Sequence, residues 1–233
     1  MSQTKSGKSK TTDYDILKQR ENIRCTLVGD AKVGKTSMLL SYHANNFSDE
    51  YNPTTFDSFS KKVSYNDSPV NLLLYDTGGC NEPSQLGPVG IDIFLLCFAV
   101  DNHESYENIK EKWNPSIQKS YMTQYICELQ SSNIDDGSST QCNEIKCSIK
   151  KPIIMLVGCK GDKKFLKDIA YRRKSAQAKT SLISLQQGEK LAKEIGACKY
   201  MECCARNGTG VEEIFNEGIK AVLNKRENNS EAR

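Results

Sequence analysis

The run GDAKVGKT, Gly29 to Thr36, carries glycine, lysine and threonine at the spacing G-x-x-x-x-G-K-[ST]. It stands between IRCTLVG, a short β-rich run, and KTSMLLSYHANN, whose apolar residues fall at helical spacing. A strand, a glycine-rich turn and a helix in that order make an anion cradle. The glycines let backbone N–H groups turn inward around phosphate oxygens, and the helix N-terminus favours negative charge. Asp30, Ala31, Lys32, Val33, Gly34, Lys35, Thr36 and Ser37 are therefore expected around a polyphosphate. Lys35 would reach the β and γ phosphates, and the Thr36 hydroxyl would ligate Mg²⁺.

A phosphate cradle does not choose a base; two later segments do. GCKGD, Gly158 to Asp162, follows the strand-like run PIIMLV. A carboxylate at Asp162 can accept two hydrogen bonds, from the ring N–H and the exocyclic amine of guanine. Adenine has no such donor pair, and a buried acceptor left unpaired is costly. The stem of Lys160 can lie along the purine face, beside Cys159. ECCAR, Glu202 to Arg206, would offer the Ala205 N–H to the guanine oxygen, flanked by Cys204 and Arg206. Taken alone, Asp162 could equally be an acid that solvates a loop. Its place after a phosphate cradle and before ECCAR favours the base.

The elements that must hold these loops alternate. Strand-like runs recur at SFSKKVSY, VNLLLYD, IDIFLLCFAV and KPIIMLVG. Helical patterns follow in HESYENIKEKW, SLQQGEKLAKEIG and GVEEIFNEGIKAVL. That alternation predicts an α/β fold with a mostly parallel central sheet and the ligand beyond the carboxyl ends of its strands. Residues 1–20 read as a flexible basic head, 21–224 as the domain and 225–233 as a polar tail. Within the domain about 121–150, including SSNIDDGSSTQCNE, shows no clear periodicity and reads as an insertion loop, disordered or partner-binding.

Composition sets the remaining bounds. The 233 residues are 37% hydrophobic, enough for one core. The longest apolar run, Ile91 to Val100, contains Asp92 and has strand length, too short to span a membrane. The basic, polar start MSQTKSGKSK is not a secretory leader, so a reducing compartment is expected, with the ten cysteines as thiols. Without paired C-x-x-C sets they read as small buried hydrophobes plus a few exposed thiols, and zinc is not expected. The net charge of +3 does not call for nucleic acid. Lys5, Lys8 and Lys10, and the basic stretch from Lys160 to Lys179, are solvated faces or an attraction to anionic lipid or an acidic partner.

From about Ile23 to Leu223, apart from the 121–150 insertion, the chain resembles Rho-type members of the Ras superfamily of small GTPases; the head and the tail are not covered. The resemblance rests on the three motifs above, on EYNPTTFDSF (Glu50 to Phe59), on IKEKWNPSI and on the length and layout of KDIAYRRKSAQAKTSLISLQQGEKLAKEIGACKYMECCA. It implies the three-layer P-loop NTPase fold with helices on both sheet faces, and a GTP/GDP switch using Mg²⁺. It further implies that Thr54 closes on Mg²⁺ and the γ-phosphate, that Asp76 holds a Mg²⁺ water, that Gly79 senses the γ-phosphate and that Phe47 packs beside the base. Lys35, Thr54 and Gly79 would then serve hydrolysis. Switch I, Tyr51 to Phe59, would present itself to effectors, among them protein kinases and regulators of the actin cytoskeleton, and exchange factors would reload a monomeric protein.

Three departures from the family pattern bear on hydrolysis. In DTGGCNE, Asp76 to Glu82, Cys80 stands where family members have the glutamine that positions the attacking water. A thiol is a weak hydrogen-bond partner and too short for that task. Ala31 stands where glycine is usual, and the segment after Asp76 is about three residues shorter than in the family. Losing water positioning would cost about 1.4–3 kcal/mol, roughly 10–100-fold in rate. The expectation is a slow GTPase, with a permanently loaded adaptor as the alternative; rescue by another side chain would restore ordinary hydrolysis. The end NKRENNSEAR carries no prenylation cysteine and Ser2 excludes myristoylation, so a cytoplasmic protein with at most weak electrostatic contact with the plasma membrane, or association with the cytoskeleton, is expected.

Overall fold

A computed structural model describes residues 22–44, 57–66, 68–78, 86–131, 151–164 and 182–231. The strands are β1 (Asn22–Val28), β2 (Asp57–Tyr65), β3 (Ser68–Asp76), β4 (Ile93–Ala99), β5 (Ile153–Cys159) and β6 (Tyr200–Glu202). The helices are α1 (Lys35–Ala44), α2 (His103–Asn108), α3 (Asn114–Ser131), α4 (Leu185–Glu194) and α5 (Val211–Glu231). A π-helical turn, Ile109–Trp113, joins α2 to α3 without a break.

One sheet runs in the order β2-β3-β1-β4-β5-β6. Only β2 is antiparallel to its neighbour; the rest pair in parallel. The sequence explains the order. β4, IFLLCFA, is buried at every position, as a central strand covered on both faces must be. β2, DSFSKKVSY, alternates exposed and half-buried residues and takes an edge. The β2–β3 hairpin turns at Asn66, whose φ of 49° lies in the left-handed region that asparagine tolerates.

Two cores lie against the sheet. On one face β1, β3 and β4 bury Leu27, Leu72, Leu95 and Cys97 with Met38 and Leu39 of α1 and Ile214 and Phe215 of α5. On the other, Leu96, Phe98 and Leu156 pack with Trp113, Ile117 and Leu191. Helices thus cover both faces of a mostly parallel sheet, the expected P-loop NTPase architecture. A capping box starts α4: the Ser184 side chain accepts from Gln187 N, and Ser184 N donates to the Gln187 side chain at 2.8 Å. No helix among the described residues is long and apolar enough to cross a membrane.

Two boundaries differ from the sequence reading. The stretch assigned to an insertion from about 121 begins as helix, because α3 continues to Ser131. Tyr121 to Ser131 contains no glycine or proline to stop it, and Met122, Tyr125, Ile126 and Leu129 stand at the i, i+3, i+4, i+7 spacing of a helix, although Met122 and Ile126 are exposed. The polar tail assigned to 225–233 is likewise helical to Glu231. Arg226 there donates to Asp92 Oδ1 and to Asn22 O, each at 2.8 Å, fastening the helix end to the start of β1. The remainder of the insertion and the head 1–20 lie outside the described residues.

Candidate nucleotide-binding site

Because β1, β3, β4, β5 and β6 are parallel, the segments that follow them emerge at one sheet edge. Those segments carry the expected site residues. The 29–36 loop comes first. A Cβ on Gly29 would lie 2.0 Å from the Cys97 carbonyl oxygen, so only glycine lets β1 turn this close over β4. Lys32 (φ 64°) and Gly34 (φ 115°) complete the curl, and Met38 N donating to Gly34 O at 2.9 Å starts α1. A lysine in the left-handed region costs about 1–2 kcal/mol, strain that such loops store where backbone must face a ligand.

Lys35 is buried and folds across the loop, its Nζ donating to Gly29 O at 2.8 Å and to Asp30 O at 2.7 Å. Burial lowers its pKa, opposed by the nearby Cys97, Asp76, Cys159 and Asp30. The ammonium therefore points into the ring of backbone groups rather than to solvent. Beside it the Thr36 hydroxyl donates to Asp76 Oδ2 at the buried end of β3. Asp76 Oδ1 in turn accepts from Gly78 N at 3.3 Å, while Thr77 Oγ1 donates to Leu27 O at 2.9 Å. One hydroxyl and one carboxylate, both hard oxygen donors, suit Mg²⁺, which is usually bound by one or two carboxylates together with substrate phosphates. Among the described residues no denser cluster of His, Cys, Asp or Glu competes for a cation.

The motif reading does not point to two further partners of this loop. Asn108 Nδ2 donates to Asp30 Oδ2, and Trp113 Nε1 donates to Asp30 Oδ1, both at 2.8 Å. Asn108 and Trp113 are five residues apart, which on an α-helix separates side chains by about 140°. The π-turn between them changes that, because its i→i+5 pattern stacks residues five apart on one face. The signal in the sequence is the single tryptophan with an asparagine five residues before it, legible only to a reader who expects a π-turn.

The 158–164 and 202–206 segments meet beside this loop. Cys203 N donates to Gly158 O and Gly161 N donates to Cys203 O, both at 2.9 Å. Lys160 holds a left-handed φ of 61°, and its Nζ lies 3.9 Å from Asp101 Oδ1. Asp162 is half-buried at the start of the short helical turn that follows. Cys159 and Cys204 are buried, Ala205 is half-buried and Arg206 is exposed. Glu202 joins the two segments by accepting from Lys164 Nζ and, at 2.6 Å, from the Tyr200 hydroxyl. Burial, then that bond to Glu202, raises the Tyr200 pKa, so the phenol stays a donor.

The structure thus brings together Asp30 to Ser37, Asp76, Cys159, Lys160, Asp162, Cys204, Ala205 and Arg206. Phe47, Thr54, Gly79, Cys80 and switch I from Tyr51 to Phe56 lie outside the described residues, as does the stretch 165–181. A sequence model of the Ras family matches residues 24–224, most of the chain and every loop of the site.

Proposed function

This chain belongs to the Ras family, and we propose that it is a Rho-like switch that binds GTP and GDP with Mg²⁺ and hydrolyses GTP slowly. Members of the Ras family are small GTPases. The observation that supports nucleotide and Mg²⁺ binding is the contact of Thr36 with Asp76, at the end of β3 beside the loop that encloses Lys35; slowed hydrolysis rests on Cys80 and Ala31 in the sequence. It sets a magnesium donor pair within reach of an ammonium already aimed inward.

The roles divide by chemistry. Backbone N–H groups of 30–37 and Lys35 hold the phosphates; Asp162 selects guanine, Lys160 covers its face and Ala205 N–H meets its oxygen. Thr36 and Asp76 would hold Mg²⁺, Asp76 through water, and the ion when bound neutralises charge on the phosphates. Thr54 and Gly79 bond the γ-phosphate and order switch I, Tyr51 to Phe59, for effectors that regulate the actin cytoskeleton. Hydrolysis is slow because Cys80 cannot hold the water in line and the Ala31 methyl crowds that place.

A second reading is a permanently GTP-loaded adaptor, favoured by the same Cys80 and Ala31. Nucleotide content after gentle purification, together with a single-turnover GTP assay, separates the two. Bound GDP and a slow measurable rate fit the switch; GTP alone and no turnover fit the adaptor. A rate equal to that of ordinary Ras-type proteins, on the order of 10⁻⁴ s⁻¹ without an activator and raised strongly with one, contradicts slowed hydrolysis.

A further inference from the structure

The sheet edge beneath the site is unusually rich in sulfur. Cys97 of β4, Cys159 at the end of β5, Cys203 after β6 and Met38 of α1 share one buried cluster. Cys203 Sγ lies 3.4 Å from Met38 Sδ, and a Cβ on Gly34 would sit 3.3 Å from Cys159 Cβ and 3.9 Å from its Sγ. The Cys159 thiol is therefore directly under the phosphate loop. We propose that Cys159 and Cys203 form a reversible oxidative-modification site, closing to a disulfide that ties the two base-reading loops together when a peroxide reaches them.

Position favours this pair over the third thiol. The last register pair of β5 and β6 is Gly158 with Glu202, so Cys159 and Cys203 are the next residues on each side. The bonds Cys203 N to Gly158 O and Gly161 N to Cys203 O bracket Cys203 opposite Cys159. Neighbouring strands lie about 4.8 Å apart, inside the range of Cα separations that a disulfide spans. Cys97 faces Val157 instead, two residues out of step with Cys159.

Chemistry assigns the roles. Hydrogen bonds from the Cys203 and Cys97 thiols hold the Cys159 thiol well below its ordinary value against the effect of burial, with Lys35 and Lys160 adding to the shift. The same bond raises Cys203, which stays protonated. The Cys159 thiolate attacks one peroxide oxygen, the O–O bond breaks, hydroxide leaves and Cys159 becomes a sulfenic acid. The sulfur of Cys203 then attacks that sulfur, the S–O bond breaks, and the hydroxyl departs with the Cys203 proton as water. Two electrons pass from the sulfurs to the peroxide. Both thiols are buried beneath the base loops, so peroxide reaches them when nucleotide is absent and the loops open briefly, with Lys35 and Lys160 still beside Cys159 to favour its thiolate. Afterwards the linked loops can no longer part, and nucleotide enters and leaves slowly.

The consequence for exchange rests on the guanine-nucleotide reading; the linkage does not. The full chain, stripped of nucleotide with EDTA, is treated with hydrogen peroxide, alkylated and mapped by mass spectrometry without reduction. The expected product joins the peptides of Cys159 and Cys203 with loss of two hydrogens and is undone by dithiothreitol. GDP-loaded protein forms it several-fold more slowly, Cys97→Ser still forms it, and Cys159→Ser or Cys203→Ser does not. Loading and release of fluorescent GDP are both several-fold slower in the linked protein and recover on reduction. No link, a link from Cys159 to Cys97, or unchanged exchange kinetics in linked protein overturns the proposal. Reduced protein that binds no GDP contradicts the nucleotide reading instead, and the peptide map still judges the linkage.

Discussion

Trp113 donates its indole N–H to the carboxylate of Asp30 at 2.8 Å, joining a helix on one face of the sheet to the phosphate loop. This is the only tryptophan in the chain. Its fluorescence should therefore change on exchange of GDP for GTP and on removal of nucleotide. Trp113→Phe leaves one oxygen of a half-buried carboxylate with less support. A hydrogen bond to a charged group contributes about 1.5–3 kcal/mol, so faster GDP release of roughly tenfold is expected in a stopped-flow chase.

Cys80→Gln restores the side chain that family members use to place the attacking water. Single-turnover hydrolysis should rise about 10–100-fold, with GTP affinity unchanged. An unaltered rate would mean that another group already supplies the water contact.

Glu202→Ala removes the acceptor shared by Lys164 and Tyr200. The Tyr200 hydroxyl, half-buried under α4, loses its partner, a loss of about 1–3 kcal/mol. Denaturant melts should show that loss, and GDP release should quicken because the 158–164 segment is no longer braced against 202–206.

At the opposite sheet edge Arg226 bridges Asn22 O and Asp92 Oδ1, and Asp92 Oδ2 accepts from Arg24 N at 2.9 Å. Both side chains of the pair keep about a fifth of their surface exposed, so screening limits its worth. Arg226→Met should cost about 1–2 kcal/mol, a fall in Tm of about 2–8 °C, without altering nucleotide affinity. A changed affinity would show that the two edges are coupled.

What the sequence made legible follows from the range of each signal. The 29–36 loop, GCKGD and ECCAR are short and contiguous, and each sits where a strand ends, so local pattern suffices. Five of the six strands were legible for the same reason, β4 being apolar throughout; β6, three half-buried residues long, is too short to show a pattern. Asn108 and Trp113 were not, because their common face depends on a π-turn that helical periodicity does not encode. The helical run to Ser131 carries only one short apolar repeat, Met122, Tyr125, Ile126 and Leu129, among polar residues, and that of α5 to Glu231 ends in polar residues anchored by the bonds of Lys225 to Lys151 O and of Arg226 to Asn22 O and Asp92. The cysteines read as small hydrophobes, and most described ones are indeed buried. Their meeting beneath Gly34 comes from three separate strand ends, a relation that spacing along the chain does not carry.

The most direct measurement is the affinity of the purified chain for GTP, GDP and ATP, with and without Asp162→Ala. Guanine nucleotides should bind far more tightly than ATP, and the variant should lose roughly 10–100-fold of that affinity while barely changing ATP binding. Equal affinity for ATP and GTP, or guanine binding indifferent to Asp162, would contradict the account.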